Sequence, residues 1–284
     1  MLAASHRSRA RLALSIAALL SLAGCAVRAP DATAITTQRD LTYARRPDGD
    51  LRADVYLPAS PGPHPGVLLV HPGSWQRGSR RDLASVGERL AARGYVAVSI
   101  DYRLAPENRF PAQLDDCRDA LIWMRDHAGA LQIDPQRLAG FGYSAGGHLV
   151  ALLATTGDED AAPRLHAAVA GGAPTDLRRF GDNRVVSRLL GGPASALPDA
   201  YAAASPIAHV TPGDPPMFLY HGRYDWLVNV SQATAMRAAL QTAGVPVEYH
   251  ETARGHFATF FFDDDSVEAA LRFLDHWLEP TRPG

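Results

Sequence analysis

The chain of 284 residues contains no lysine. All 28 of its basic residues are arginine, so no lysine can serve as nucleophile, Schiff-base former or phosphate clamp. Cysteine is nearly absent as well: Cys25 and Cys117 are the only two. A disulfide framework and a cysteine-rich zinc site are thereby excluded. Charge of one sign is also missing, since 28 basic residues against 30 acidic ones leave a formal net charge of -2. Nucleic-acid binding needs a basic face, and none is expected here. Long apolar runs are absent beyond residues 12–22, which fall short of the roughly 20 residues that a bilayer span requires. No internal repeat or low-complexity block interrupts the chain. What is present is ample core material, with 46% hydrophobic residues, enough to bury one large core.

The N-terminus reads as an address. His6, Arg7, Arg9 and Arg11 precede the apolar run, and small residues follow it. A basic start, a short apolar stretch and small residues at the cut describe a secretory signal peptide over 1–24. The junction Leu22-Ala23-Gly24-Cys25 resembles the lipobox of bacterial lipoproteins. That resemblance implies cleavage before Cys25 and a lipid on its side chain. Ala26 is not aspartate, so it also implies an outer-membrane anchor facing the periplasm of a Gram-negative bacterium. Residues 25–40 lack apolar periodicity and are expected to be a tether. Cys117 falls in a helical pattern and is expected to be a small buried residue.

From residue 41 to about 280 the sequence alternates strand-like and helix-like stretches, and one domain is expected there. Residues 41–45 and 51–57 form a predicted antiparallel pair around Pro47-Asp48-Gly49. Buried strands are predicted at 66–71, 95–101, 137–143, 167–171, 217–221 and 247–251. Helices are predicted at 81–93, 110–127, 144–156, 230–243 and 266–278. Repeated strand-then-helix order implies an α/β fold, with a mostly parallel sheet of about eight strands and helices on both faces.

The chemistry centres on Gly142-Tyr143-Ser144-Ala145-Gly146. A strand runs into Ser144 and a helix leaves it, with small residues around the serine. That is the pattern of a nucleophile elbow, a tight turn that exposes Oγ above the sheet. A serine nucleophile needs a base, and the base needs an orienting acid. His256 follows the 247–251 strand and Asp225 follows the 217–221 strand. Both stand at strand C-termini, the edge at which α/β sheets bind ligands. His250 is a rival histidine, expected to pack inside its strand. Asp176 is a rival acid on the loop after 167–171, while Asp214 precedes its strand and lies at the wrong edge. The oxyanion created by attack needs preorganised donors. The N–H of Ala145 is one candidate, and the loop His71-Pro72-Gly73-Ser74-Trp75 supplies Gly73 and Ser74. Pro72 has no N–H to offer.

With these residues in place, the chain resembles the α/β-hydrolase esterases related to hormone-sensitive lipase. More closely, it is similar to bacterial carboxylesterases with feruloyl-esterase-like and formamidase-like members. The resemblance rests on His71–Trp75 with Gln76-Arg77-Gly78, on Asp101-Tyr102-Arg103-Leu104-Ala105-Pro106-Glu107, and on Phe110-Pro111-Ala112 with Asp115-Asp116. It continues through Gly142–His148, Ser205-Pro206, Pro215-Pro216, His221–Asp225 and Gly255-His256. Tyr143 departs from the acidic residue common in the hormone-sensitive-lipase branch. The resemblance implies a carboxylesterase with Ser144, Asp225 and His256 as triad and Gly73, Ser74 and Ala145 as oxyanion donors. Trp75 and Tyr143 are candidate substrate contacts, with Trp75 equally suited to pinning its loop. Tyr102, Arg103 and Glu107 are expected to be scaffold, and His148 a packing residue. No metal or organic cofactor is implied, and the partner is a small ester, with short acyl or small aryl groups favoured. Membrane contact is expected through the lipid anchor alone. An arylformamidase, a peptidase and a catalytically silent binding protein on the same scaffold are the alternatives.

Overall fold

The computed structural model describes residues 35–47, 49–157 and 163–279. The expected signal peptide, Cys25 and residues 26–34 of the expected tether lie outside the described residues.

Eight strands form one sheet in the order β1-β2-β4-β3-β5-β6-β7-β8. They are β1 (Thr36–Arg46), β2 (Gly49–Leu57), β3 (His64–Val70), β4 (Val96–Ile100), β5 (Ile133–Tyr143), β6 (Ala167–Gly171), β7 (Met217–Gly222) and β8 (Val247–Thr252). β2 runs antiparallel to both β1 and β4, and the pairs from β4 through β3 to β8 are parallel. The mostly parallel sheet expected from the sequence is therefore present. β1 begins at Thr36, five residues before the expected domain boundary at 41, so the end of the expected tether belongs to the sheet. Its first residues, Thr-Thr-Gln-Arg-Asp, are polar because this is an edge strand facing water.

Alternate residues on the central strands enter two separate cores. Leu68 and Val70 of β3 join one core with Leu149 and Leu152, while Val67 and Leu69 join the other with Leu90, Leu271 and Leu274. The first core is covered by α2 (Ala112–Asp126), α4 (Ala145–Thr155) and α7 (Ser231–Thr242). The second is covered by α1 (Ala84–Ala92) and α9 (Asp264–Leu278). Helices thus lie on both faces. Shorter helices are α3 (Ala128–Leu131), α5 (Arg184–Leu190), α6 (Pro198–Ala203) and α8 (His256–Phe262). Cys117 sits in α2 with no exposure, as its setting in a helical pattern predicted.

Two ionic clusters brace the antiparallel end. Asp116, fully buried, accepts from Arg46 and from both the side chain and backbone N–H of Arg103. Arg80 donates to Asp54, Asp101 and Asp40. Arg103 is scaffold in this sense, because its guanidinium ties the loop after β4 to α2.

Candidate active site

β3, β5, β7 and β8 all run parallel, so their C-termini open at one edge of the sheet. The loop 71–75, Ser144, Asp225 and His256 follow these four termini, and the fold brings them together there.

Ser144 occupies the turn between β5 and α4 with φ 53° and ψ -118°. This conformation is strained for a residue with a side chain, at a cost of about 1–3 kcal/mol. The turn closes because the residues two positions to either side, Gly142 and Gly146, are glycines. A Cβ on Gly146 would lie 1.9 Å from the Val70 carbonyl oxygen, and one on Gly142 would lie 2.4 Å from the Gly146 carbonyl carbon. The Ser144 N–H donates to the Gly171 carbonyl at 2.7 Å, which ties the elbow to β6.

Ser144 Oγ lies 2.9 Å from His256 Nε2, and His256 Nδ1 lies 2.6 Å from Asp225 Oδ2. All three are buried. Asp225 Oδ1 accepts the backbone N–H groups of Leu227 at 2.9 Å and Val228 at 2.8 Å. Burial acts to raise the Asp225 carboxyl, but the donors His221, His256 and Val228 outweigh it and hold the group well below the usual carboxylate range. Asp225 is therefore a permanent anion beside the imidazole. His256 is the first residue of α8, and its carbonyl accepts the Tyr143 hydroxyl at 2.6 Å. Burial pushes the Tyr143 phenol far above its usual range, so it remains a donor.

The rival groups lie elsewhere. Asp176 pairs with Arg178 and Arg179. His250 is a half-buried strand residue of β8, and Asp214 bonds Thr211.

Ala145 is the first residue of α4, whose opening N–H groups have no intrahelical partner. In the loop after β3, Gly73, Ser74 and Trp75 all have positive φ, at 124°, 56° and 59°. The Gly73 carbonyl turns away to accept from Gln76 and Arg77, both at 3.1 Å. Among the described residues, the N–H groups of Gly73 and Ser74 meet no acceptor. Both residues, with Ser144 and His256, line a cavity of about 370 Å³. Tyr143, Leu227, Phe257, Phe260 and Phe261 give that cavity apolar walls.

Trp75 corrects the expectation of a substrate contact. It is only 4% exposed and is not part of the cavity wall. Its indole N–H donates to His148 Nδ1 at 3.2 Å, and the His148 Nε2–H donates to the Ala204 carbonyl at 2.7 Å. The indole pins the loop to α4, because a buried N–H needs an acceptor and His148 is the one in reach. Burial holds the His148 imidazole at about 4, so it packs as a neutral ring. Tyr102 supports the same loop: its hydroxyl donates to the His71 carbonyl and its ring stacks on the His71 ring at 4.1 Å.

Sequence reasoning did not find the roles of α8 and His221. The phenylalanines that follow His256 form most of the apolar wall, and the short run offered no periodicity to mark a helix. His221 lies fully buried, 3.4 Å from Asp225 Oδ2. The signal for it was its position four residues before Asp225. Among the described residues no cluster of three or more His, Cys, Asp or Glu is arranged to hold a metal ion.

Residues 53–240 match the BD-FAE family model. The chain belongs to the BD-FAE family. This BD-FAE chain is 34% identical to a probable carboxylic ester hydrolase, LipM, of Mycobacterium tuberculosis, over 73% of its own length and 50% of LipM. It is 33% identical to esterase LipC of the same organism, over 60% of its length and 47% of LipC. It thus spans about half the length of these curated relatives. Among solved structures, esterase 2 of Thermogutta terrifontis superposes with a TM-score of 0.74 at 26% identity, over 86% of this chain and 97% of that one. A truncated carbohydrate esterase from gut microbiota superposes with a TM-score of 0.78 at 23% identity, over 88% and 99%, and shares the fold. The architecture is that of the α/β-hydrolase esterases, as the motifs implied.

Proposed function

We propose that the protein is a carboxylic ester hydrolase that works through Ser144, His256 and Asp225. The unbroken relay from Ser144 Oγ through both ring nitrogens of His256 to Asp225 Oδ2, at 2.9 and 2.6 Å, carries this reading. His256 Nε2 takes the Ser144 proton as Oγ attacks the ester carbonyl, and Asp225 stabilises the imidazolium that forms. The carbonyl oxygen becomes an anion held by the N–H groups of Ala145, Gly73 and Ser74, each such donor being worth on the order of 10²–10³ in rate. His256 then protonates the leaving alcohol. Water, deprotonated by His256, releases the acid and restores Ser144.

Small esters, with short acyl or small aryl groups, suit the site best. The cavity holds about 370 Å³ and has apolar, largely aromatic walls, the kind of surface that buries an acyl chain or ring. Solved structures of the Thermogutta esterase hold propionate and butyrate, which favours the short acyl reading. The test is a panel of p-nitrophenyl acetate, butyrate and octanoate together with N-formylkynurenine. The expected order has kcat/KM highest for the two short esters. Preference for N-formylkynurenine would instead make the protein an arylformamidase. Export and lipid attachment at Cys25 are part of the same proposal. Mass spectrometry of the mature N-terminus should find a lipidated Cys25, and an unmodified N-terminus would contradict it.

A further inference from the structure

The Asp225 carboxylate sits on a turn, not on a strand or helix, yet it must present Oδ2 to His256 in one orientation. The turn is held by its own carboxylate at one oxygen, since Oδ1 accepts from Leu227 and Val228. Something must also hold the Val228 end. His221, the penultimate residue of β7 and fully buried, places Nε2 2.7 Å from the Val228 carbonyl oxygen. A carbonyl only accepts, so the proton of this ring is on Nε2. The same nitrogen is 3.4 Å from Asp225 Oδ2, so the ring lies against the carboxylate while its one N–H is given to the Val228 carbonyl. Nδ1 is then a buried acceptor with no partner among the described residues. Leaving it bare costs about 1–3 kcal/mol. An apolar residue would fill this site without that cost, so the N–H on the far side has a use that outweighs it.

We propose that His221 is a positioning residue for Asp225: its Nε2–H clamps the Val228 carbonyl and steadies Oδ2 toward His256. The rigid strand β7 thereby sets the geometry of a turn that carries the acid. This inference rests on the assignment of Asp225 as the acid. His221 itself touches no substrate, so its effect reaches the reaction only through Asp225.

The test compares H221L, H221N, H221Q and D225N in the full chain, with kcat and KM for p-nitrophenyl acetate and a thermal unfolding curve for each. Glutamine reaches about as far as Nε2 and can restore the donor, whereas asparagine stops short of it. Expected results are a fall in kcat of at least tenfold in H221L and H221N, with KM changed less than threefold, and recovery to within about threefold of the original kcat in H221Q. Should H221L fail to fold, the contrast between H221N and H221Q decides the matter. Equal losses in H221N and H221Q, or a kcat within twofold of the original in a folded H221L or H221N, would overturn the proposal. Full activity in D225N would instead overturn the assignment of the acid itself. Loss in D225N together with undiminished H221N would remove only the role of His221.

Discussion

Replacing Gly146 with alanine tests whether the elbow's geometry, and not its residue types alone, sets the nucleophile. The added Cβ would stand 1.9 Å from the Val70 oxygen and 2.7 Å from the His71 oxygen, both backbone atoms. Real Cβ contacts essentially never fall below 3.0 Å, so β3 and the start of α4 must part by about 1 Å. Neither can yield as a side-chain tip would. β3 is the sheet's centre, paired to β4 and β5, and α4 is buried along its length. Overpacking of this kind costs typically about 1–3 kcal/mol. The catalytic cost should be larger in effect, because the shift occurs two residues from Ser144 and beside the loop carrying Gly73 and Ser74. Displacement of reacting groups by about 1 Å lowers rates on the order of 10²-fold. G146A should therefore melt several degrees lower and lose about two orders of magnitude in kcat for p-nitrophenyl acetate. A G146A protein with the original melting temperature and kcat would refute the argument that close backbone approach builds this site.

Further outcomes follow from the same geometry. His148 has its ordinary value near 6.5 in the unfolded chain but about 4 when folded. Between those values the unfolded chain binds a proton that the folded one does not. Stability is therefore full above pH 6.5 and declines as pH falls toward 4, by about 3 kcal/mol for a shift of this size. Urea denaturation across that range should show the slope, and H148Q should flatten it. An equal slope in H148Q would place its origin elsewhere. Phe257 and Phe261 line the cavity while remaining half or more exposed. F257A and F261A should each raise KM for phenyl esters several-fold more than for ethyl esters, and an equal change would show that the rings do not meet the substrate.

The sequence made the central sheet legible because buried parallel strands such as Gly66-Val67-Leu68-Leu69-Val70 are short apolar runs between turns. It made Ser144, Asp225 and His256 legible as candidates because each follows a strand in the order this fold requires. Edge and surface elements were harder to read. The start of β1 is polar on an exposed edge, and β5 begins at Ile133, before the apolar run of 138–143. α8 is rich in phenylalanine whose exposure gives no amphipathic rhythm, with Phe261 and Phe262 both facing water. Orientation was not legible at all for Trp75. Its place beside Gly73 and Ser74 suited the cavity and the interior equally, and only the partner 73 residues away, His148, decides between them. The same holds for His221, whose hydrogen bond to Val228 depends on how the turn around Asp225 closes.

Every catalytic role proposed for this protein requires Ser144 to be the nucleophile. The related Thermogutta esterase has been solved phosphorylated by paraoxon, and the direct test here is an organophosphorus label on this chain. Protein treated with a fluorophosphonate probe should gain one adduct, mapped by peptide mass spectrometry to Ser144. S144A should gain none and lose at least 10³-fold in ester hydrolysis. An adduct on another residue, or S144A retaining the original rate, would contradict the central claim.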